Sequence, residues 1–218
     1  MFLVKTRPDI EYAVNRLACR SQVATEKDFK ALLRIVSYLW GTKHLGLHFK
    51  KTSAADSVES TRLVCYVDAS YATHEDSKSH TGFCFFLGNF FAMFYYRTFK
   101  QPNVTLSSTE CENAAAVEAA KEIIWFRGLL AELGFPQFEP TVMFADNASM
   151  ITLANDHSGN HKRVKHYLTR INFMIEQVKE HVINIKFVQS EYNIADILTK
   201  PLGPQQFLFL RPMLLGYE

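Results

Sequence analysis

The chain has 218 residues, enough for one domain of roughly 150 residues and an extension. Hydrophobic residues make up 48% and charged residues 21%, which excludes a disordered or low-complexity chain, and a net charge of +2 means that any surface for nucleic acid must be local. No run approaches the ~18 apolar residues of a membrane span, and no apolar signal-peptide core is present near the N-terminus. The four cysteines contain no C-x-x-C pair and read as reduced thiols, three of them buried.

Ile10, Ala13, Val14 and Leu17 recur at helical spacing between Asp9 and Arg20. Thr25 is placed to cap a second helix with a broad apolar face of Phe29, Leu32, Leu33, Ile35, Val36, Leu39 and Trp40. Residues 51–60 are small, polar and aperiodic, a linker. Leu63–Val67 is a short continuous apolar run ending at Asp68, as in a central strand covered on both faces. Two aromatic runs, 81–87 and 90–96, flank Gly88-Asn89 and predict a hairpin. Ser107 to Leu133 has the pattern of a long helix, stopped at Gly134. Thr141–Ala145 is a second buried-strand run ending in an acid, Asp146. A short helix over 148–155, a longer one over 164–180, an alternating edge strand over 183–187, a short helix over 193–200 and a last helix over 204–215 complete the order. Hairpin-linked strands followed by helix-linked strands predict an α/β fold, a mixed sheet flanked by helices.

Asp68 and Asp146 both end buried strands, where an unpartnered carboxylate is costly. If those strands are parallel neighbours, the two acids reach one point, and two like charges at close range call for a cation between them. Oxygen-only ligands favour a hard ion. Glu110, three residues after Ser107, has capping-box spacing, and Asp196 opens a helical turn where the dipole favours an acid. Spacing alone leaves both residues open between those local roles and a site.

Six blocks occur in order: Tyr66–Ser70 (YVDAS), Ser77–Gly82 (SKSHTG), Lys100–Glu110 (KQPNVTLSSTE), Asp146-Asn147, His161–His166 (HKRVKH) and Ala195–Leu202 (ADILTKPL). Together they resemble the ribonuclease H domain of copia-type retrotransposon Pol polyproteins. Thr6–Ile10 (TRPDI) and Tyr38–Thr42 (YLWGT) resemble the region following the polymerase thumb of the same polyproteins. The resemblance implies a ribonuclease H-like fold, a five-stranded mixed sheet, with residues 1–50 a helical extension, 51–60 a linker, 61–203 the domain and 204–218 a C-terminal helical tail. It implies hydrolysis of the RNA strand of RNA–DNA hybrids with two Mg²⁺, or Mn²⁺, held by Asp68, Glu110, Asp146 and Asp196. The implied partners are the hybrid and the reverse transcriptase of the same polyprotein, with no membrane, in a cytoplasmic retrotransposon particle or, alternatively, the nucleus. Lys162, Arg163, Lys165 and His166 form a basic cluster suited to phosphate, and Lys100, Gln101, Ser107 and Ser108 flank the catalytic helix as further nucleic-acid contacts. The chain departs from the family pattern at Ser70, Tyr71 and Asn113, and has Glu191 where related nucleases carry a loop histidine. The alternative is an inactive remnant or domesticated nucleic-acid-binding module of the same fold. The presence of all four acids favours the enzyme.

Overall fold

The computed structural model describes residues 5–49, 61–88, 92–155 and 168–217. The 51–60 linker and the 162–166 basic cluster lie outside them. Five strands, β1 (Leu63–Ser70), β2 (His80–Leu87), β3 (Tyr95–Lys100), β4 (Thr141–Ala145) and β5 (Ile183–Phe187), form one sheet in the order β3-β2-β1-β4-β5. β1 pairs antiparallel with β2 and parallel with β4, so the sheet is mixed, the ribonuclease H-like arrangement expected. β1 lies at the centre and is almost wholly buried, while β5 alternates buried and exposed residues at the edge.

The pleat of β1 divides the core. Leu63, Cys65, Val67 and Ala69 face helix α3 (Ser108–Glu132), which lays Cys111, Ala115, Ala116, Ala119 and Ile123 on them. Alanines let this 25-residue helix approach the sheet closely. Helices α4 (Ala148–Asn155) and α5 (Leu168–Lys179) pack beside it. Val64 on the other face, with Cys84 and Phe86, meets Ile194, Ile197, Leu198 and the C-terminal helix α6 (Pro204–Leu215).

Helices α1 (Glu11–Ala18) and α2 (Glu26–Gly41) precede the sheet. Thr25 caps α2 as expected, with the Asp28 carboxylate accepting the Thr25 N–H at 2.8 Å. The two N-terminal blocks, Thr6–Ile10 and Tyr38–Thr42, meet each other. Arg7 donates to Asp9 at 2.7 Å and to the Thr42 carbonyl at 2.9 Å, and the Tyr38 hydroxyl donates to Asp9 at 2.6 Å. Arg211 on α6 donates to the same Tyr38 oxygen. Asn15 on α1 donates to the Thr98 carbonyl of β3. The apolar face expected on α2 is exposed at Phe29, Leu33, Val36 and Trp40.

Two expectations shift. β3 starts at Tyr95, after Met93 has turned aside to donate its N–H to Leu214 in α6, and the first two residues of the expected 90–96 run lie outside the described residues. The helix expected over 193–200 is instead two 3-10 turns, Ser190–Tyr192 and Ile194–Leu198, interrupted at Asn193. There the Asn193 side chain donates to the Val67 carbonyl at 3.1 Å, pinning the segment to β1 one residue before Asp68.

Candidate active site

The parallel register pairs Val64 with Val142 and Tyr66 with Phe144. Continued along both strands, it brings Asp68 opposite Asp146. The supposition that these strands are parallel neighbours therefore holds, and the two acids converge. Asp68 is 1% exposed, while Asp146 stands at the rim and accepts a hydrogen bond from Ser190 at 2.6 Å.

The third member of the cluster is Glu112, not Glu110. Carboxylate oxygens of Asp68, Glu112 and Asp146 lie within 4.8 Å of one another. Glu110 closes the start of α3: its Oε2 accepts the Leu106 N–H at 2.8 Å, and its own N–H donates to Ser107 Oγ at 3.1 Å. Two residues apart on a helix means about 200° apart in direction, so only one of the pair can face the sheet. Helical phase identifies which. Glu112 is in step with Ala116, Ala119 and Ile123 of the buried stripe, whereas Glu110 is in step with Ala114 and the exposed Lys121. That signal is present in the sequence, whereas the block resemblance places the acid on Glu110 over its capping role.

Asp196 reaches the same place from the other side. The 3-10 turn that carries it lies flat on β2 because residue 82, opposite Asp68, is glycine: a Cβ there would stand 2.6 Å from Thr199 Cγ2 and 2.8 Å from Leu198 Cβ. Thr199 donates its hydroxyl to Asp68 Oδ2. Lys200 sets its ammonium 3.0 Å from Asp196 Oδ1 and 3.5 Å from Asp68 Oδ1. Neither Thr199 nor Lys200 was singled out from the sequence, although both stand in the Ala195–Leu202 block.

The electrostatics are those of crowded anions. Burial pushes the Glu112 carboxyl well above the usual range, and the charges of Asp68 and Asp146 push it further. Burial also pushes Asp196 up to about 7, with Asp68 adding to it. Burial raises Asp68 too, opposed by Lys200 and the Thr199 hydroxyl. Lys200 loses from burial, yet the facing carboxylates hold its pKa above that of an ordinary lysine. Glu112 Oε2 is buried without a hydrogen-bond partner. An unpartnered acceptor facing the carboxylates of Asp68 and Asp146 fits a hard divalent cation.

The expected nucleic-acid contacts fare differently. Lys100 ends β3 and pairs with Asp76 at 2.8 Å. Gln101 is buried, at 4% exposed, and its amide nitrogen donates to Thr81 Oγ1 and the Cys111 carbonyl, bracing the start of α3. Ser107 caps α3, and Ser108 is exposed beside it. Lys162, Arg163, Lys165 and His166 are outside the described residues.

No protein-family model matches the chain. It is 34% identical over 207 residues to the retrovirus-related Pol polyprotein from transposon RE1 of Arabidopsis thaliana, covering 94% of this chain and 14% of that one. The corresponding polyprotein of transposon TNT 1-94 of Nicotiana tabacum is 34% identical over the same share of this chain. The chain belongs to the retrovirus-related transposon Pol polyproteins. This Pol segment also matches yeast Ty1 Gag-Pol polyproteins at 25% identity over 210 residues. It spans only about 14% of the length of the plant relatives. Among solved structures it resembles LC11-RNase H1, with a TM-score of 0.47 and 13% identity over 64% of this chain and 93% of the other. It also resembles a foamy viral protease-reverse transcriptase in complex with RNA/DNA hybrid, with a TM-score of 0.48 and 15% identity over 70% of this chain and 21% of the other.

Proposed function

We propose that this Pol segment is a metal-dependent ribonuclease H that hydrolyses the RNA strand of RNA–DNA hybrids during retrotransposon reverse transcription. The observation that carries the proposal is the meeting of Asp68, Glu112 and Asp146 around a buried, unpartnered carboxylate oxygen. Asp68, Glu112 and Asp146 would hold one Mg²⁺ or Mn²⁺, and Asp68 with Asp196 a second. When bound, such ions activate water and stabilise the charge that develops on the scissile phosphate.

The chain's own groups do the positioning. Asp68, on the central strand, is common to both sets. Asn193 ties the Asp196 segment to Val67, and Gly82 gives that segment room. Thr199, whose hydroxyl donates to Asp68, fixes the direction of that carboxylate. Lys200 supplies positive charge where an anionic backbone would approach. Lys100, Ser108 and the 162–166 cluster are proposed to meet phosphates, and the 2′-hydroxyls and shape of the hybrid would provide recognition. The proposed partner is the reverse transcriptase of the same polyprotein, in a cytoplasmic particle.

The test is cleavage of an end-labelled RNA–DNA hybrid with Mg²⁺, against EDTA and the Asp146→Asn and Glu112→Gln proteins. Metal-dependent cutting of the RNA strand alone, lost in both variants, supports the reading. Binding of the hybrid by the folded protein without any cutting sinks it and leaves an inactive nucleic-acid-binding module.

A further inference from the structure

Beneath the site runs a chain of polar groups that the proposed chemistry does not use. Arg16 on α1 sets Nη1 2.8 Å from His74 Nδ1 and 3.1 Å from the Thr73 carbonyl. His74 Nε2 lies 2.9 Å from His80 Nδ1, His80 Nε2 lies 2.7 Å from Thr98 Oγ1, and Thr98 Oγ1 lies 2.5 Å from the Leu198 carbonyl oxygen. His74, His80 and Thr98 are all buried.

The direction of every link follows from the first. A guanidinium has donors and no acceptor. His74 Nδ1 must therefore accept, which puts the proton of the neutral ring on Nε2. That N–H donates to His80 Nδ1, so His80 also carries its proton on Nε2 and donates it to Thr98 Oγ1. The threonine has a single hydroxyl hydrogen, and the acceptor left for it is the Leu198 carbonyl. The opposite tautomer of His74 would set an N–H against the guanidinium. Both rings are neutral: burial, then Arg16, lowers His74 to about 4, and burial, then His74, lowers His80 to about 3.

The far end of this chain is informative. Leu198 closes the 3-10 turn that carries Asp196, and the last carbonyls of a helical turn lack partners within it. The residue is fully buried, so its carbonyl needs a partner from elsewhere, and Thr98 provides it. The next two residues are Thr199, bonded to Asp68, and Lys200, paired with Asp68 and Asp196.

We propose that Arg16, His74, His80 and Thr98 are positioning residues for the metal site. Arg16, from the N-terminal helix, fixes the tautomers of both imidazoles and through them holds the Leu198 carbonyl, keeping Asp196, Thr199 and Lys200 in place against Asp68. The activity part of this inference rests on the ribonuclease H reading; the tautomers and the cation affinity do not.

The experiment uses the full chain as wild type, Arg16→Met, Arg16→Lys and Thr98→Val. Imidazole ¹⁵N chemical shifts report the tautomers, Mn²⁺ binding followed by electron paramagnetic resonance reports the site, and hybrid cleavage is measured alongside. In the wild type both rings should be Nε2–H. Arg16→Met should release His74 into a mixture, and Arg16→Lys, which restores an obligate donor, should recover the single tautomer. Thr98→Val should keep the tautomers but lose the carbonyl anchor. Mn²⁺ affinity should fall about tenfold in Arg16→Met and in Thr98→Val and return to within about threefold in Arg16→Lys, with kcat falling more than KM rises. Unchanged tautomers in Arg16→Met, or Mn²⁺ affinity within about twofold of wild type in both Arg16→Met and Thr98→Val, overturns the proposal. A wild type that binds Mn²⁺ but cuts no hybrid removes the ribonuclease reading, and the tautomer and Mn²⁺ comparisons still decide the relay.

Discussion

Replacing Gly82 with alanine adds one methyl group at the point where two rigid surfaces meet. The new Cβ would stand 2.6 Å from Thr199 Cγ2, 2.8 Å from Leu198 Cβ and 3.2 Å from the Leu198 carbonyl carbon, against the 3.4 Å at which ordinary contact begins. The strand or the 190–200 segment must therefore retreat by about 0.8 Å. Neither yields easily. Gly82 is hydrogen-bonded between β1 and β3, and Leu198 and Thr199 are fully buried, with the Leu198 carbonyl held by Thr98. Overpacking of this kind costs ~1–3 kcal/mol. In a chain of this size each kcal/mol lowers Tm by ~2–4 °C, so the melt should move down by about 2–12 °C. The functional loss should be larger than the stability loss. The displaced residues carry Asp196, Thr199 and Lys200, and a shift of ~1 Å in a catalytic constellation can cost ~100-fold in rate. Thermal melts with and without Mg²⁺, together with hybrid cleavage well below the lowered Tm, would measure both. A Tm within about 1 °C of wild type and cleavage within about twofold would show that the segment gives freely and that the close approach of Gly82 positions nothing.

The two glutamates of α3 should separate cleanly. Glu112→Gln should abolish cleavage and the rise in Tm on adding Mg²⁺, yet leave the metal-free protein at neutral pH at least as stable as wild type. The carboxyl of Glu112 is raised on folding, so its contribution to stability is full below the unfolded pKa and falls away as pH rises. Glu110→Gln should cost about 0.5–1 kcal/mol in helix capping and retain most of the activity. Lys200→Met should lower Tm in EDTA and enlarge the Mg²⁺-induced gain, because it removes an ammonium paired with both Asp68 and Asp196; an unchanged gain would mean that the lysine does not balance these acids. Acid should unfold the protein through His80. Its pKa drops from 6.5 to about 3 on folding, so the stability that depends on the neutral ring is complete above ~6.5 and is lost as pH falls, by about 2 kcal/mol at pH 5. Denaturant melts at pH 8 and pH 5 of wild type and His80→Asn would show this difference, and equal pH slopes would refute it.

The strands were legible because burial on both faces leaves a continuous apolar run, and Asp68 and Asp146 stood out as the charges that end such runs. Their convergence needed only one further fact, the parallel pairing of β1 with β4. Glu112 was legible in principle, since the alanine stripe of α3 fixes the phase of the helix, but the family resemblance fell on Glu110, two residues earlier. The segment from Ser190 to Lys200 was harder. Its shape is set by partners far away in the chain: the Val67 carbonyl, Gly82 and Thr98. No local periodicity reports such contacts. Gln101 next to Lys100 read as surface because polar residues before a helix usually are, whereas its amide spans the start of α3 and β2. The histidine relay joins α1, the loop before β2, β2 and β3, and each of its members looks ordinary in its own stretch of sequence.

Read by segments, the chain divides into an extension, a domain and a tail, but its hydrogen bonds ignore those divisions. His48 donates its N–H to Leu215 at 2.8 Å, Met93 donates to Leu214, Arg211 reaches Tyr38, and Asn15 reaches Thr98. Residues 5–49 and the last helix therefore complete each other as well as the sheet between them. A piece trimmed to residues 61–203 would lose both the clamp on its second core and the arginine that orients its histidines, so the unit to express, label or cut is the chain with both ends in place.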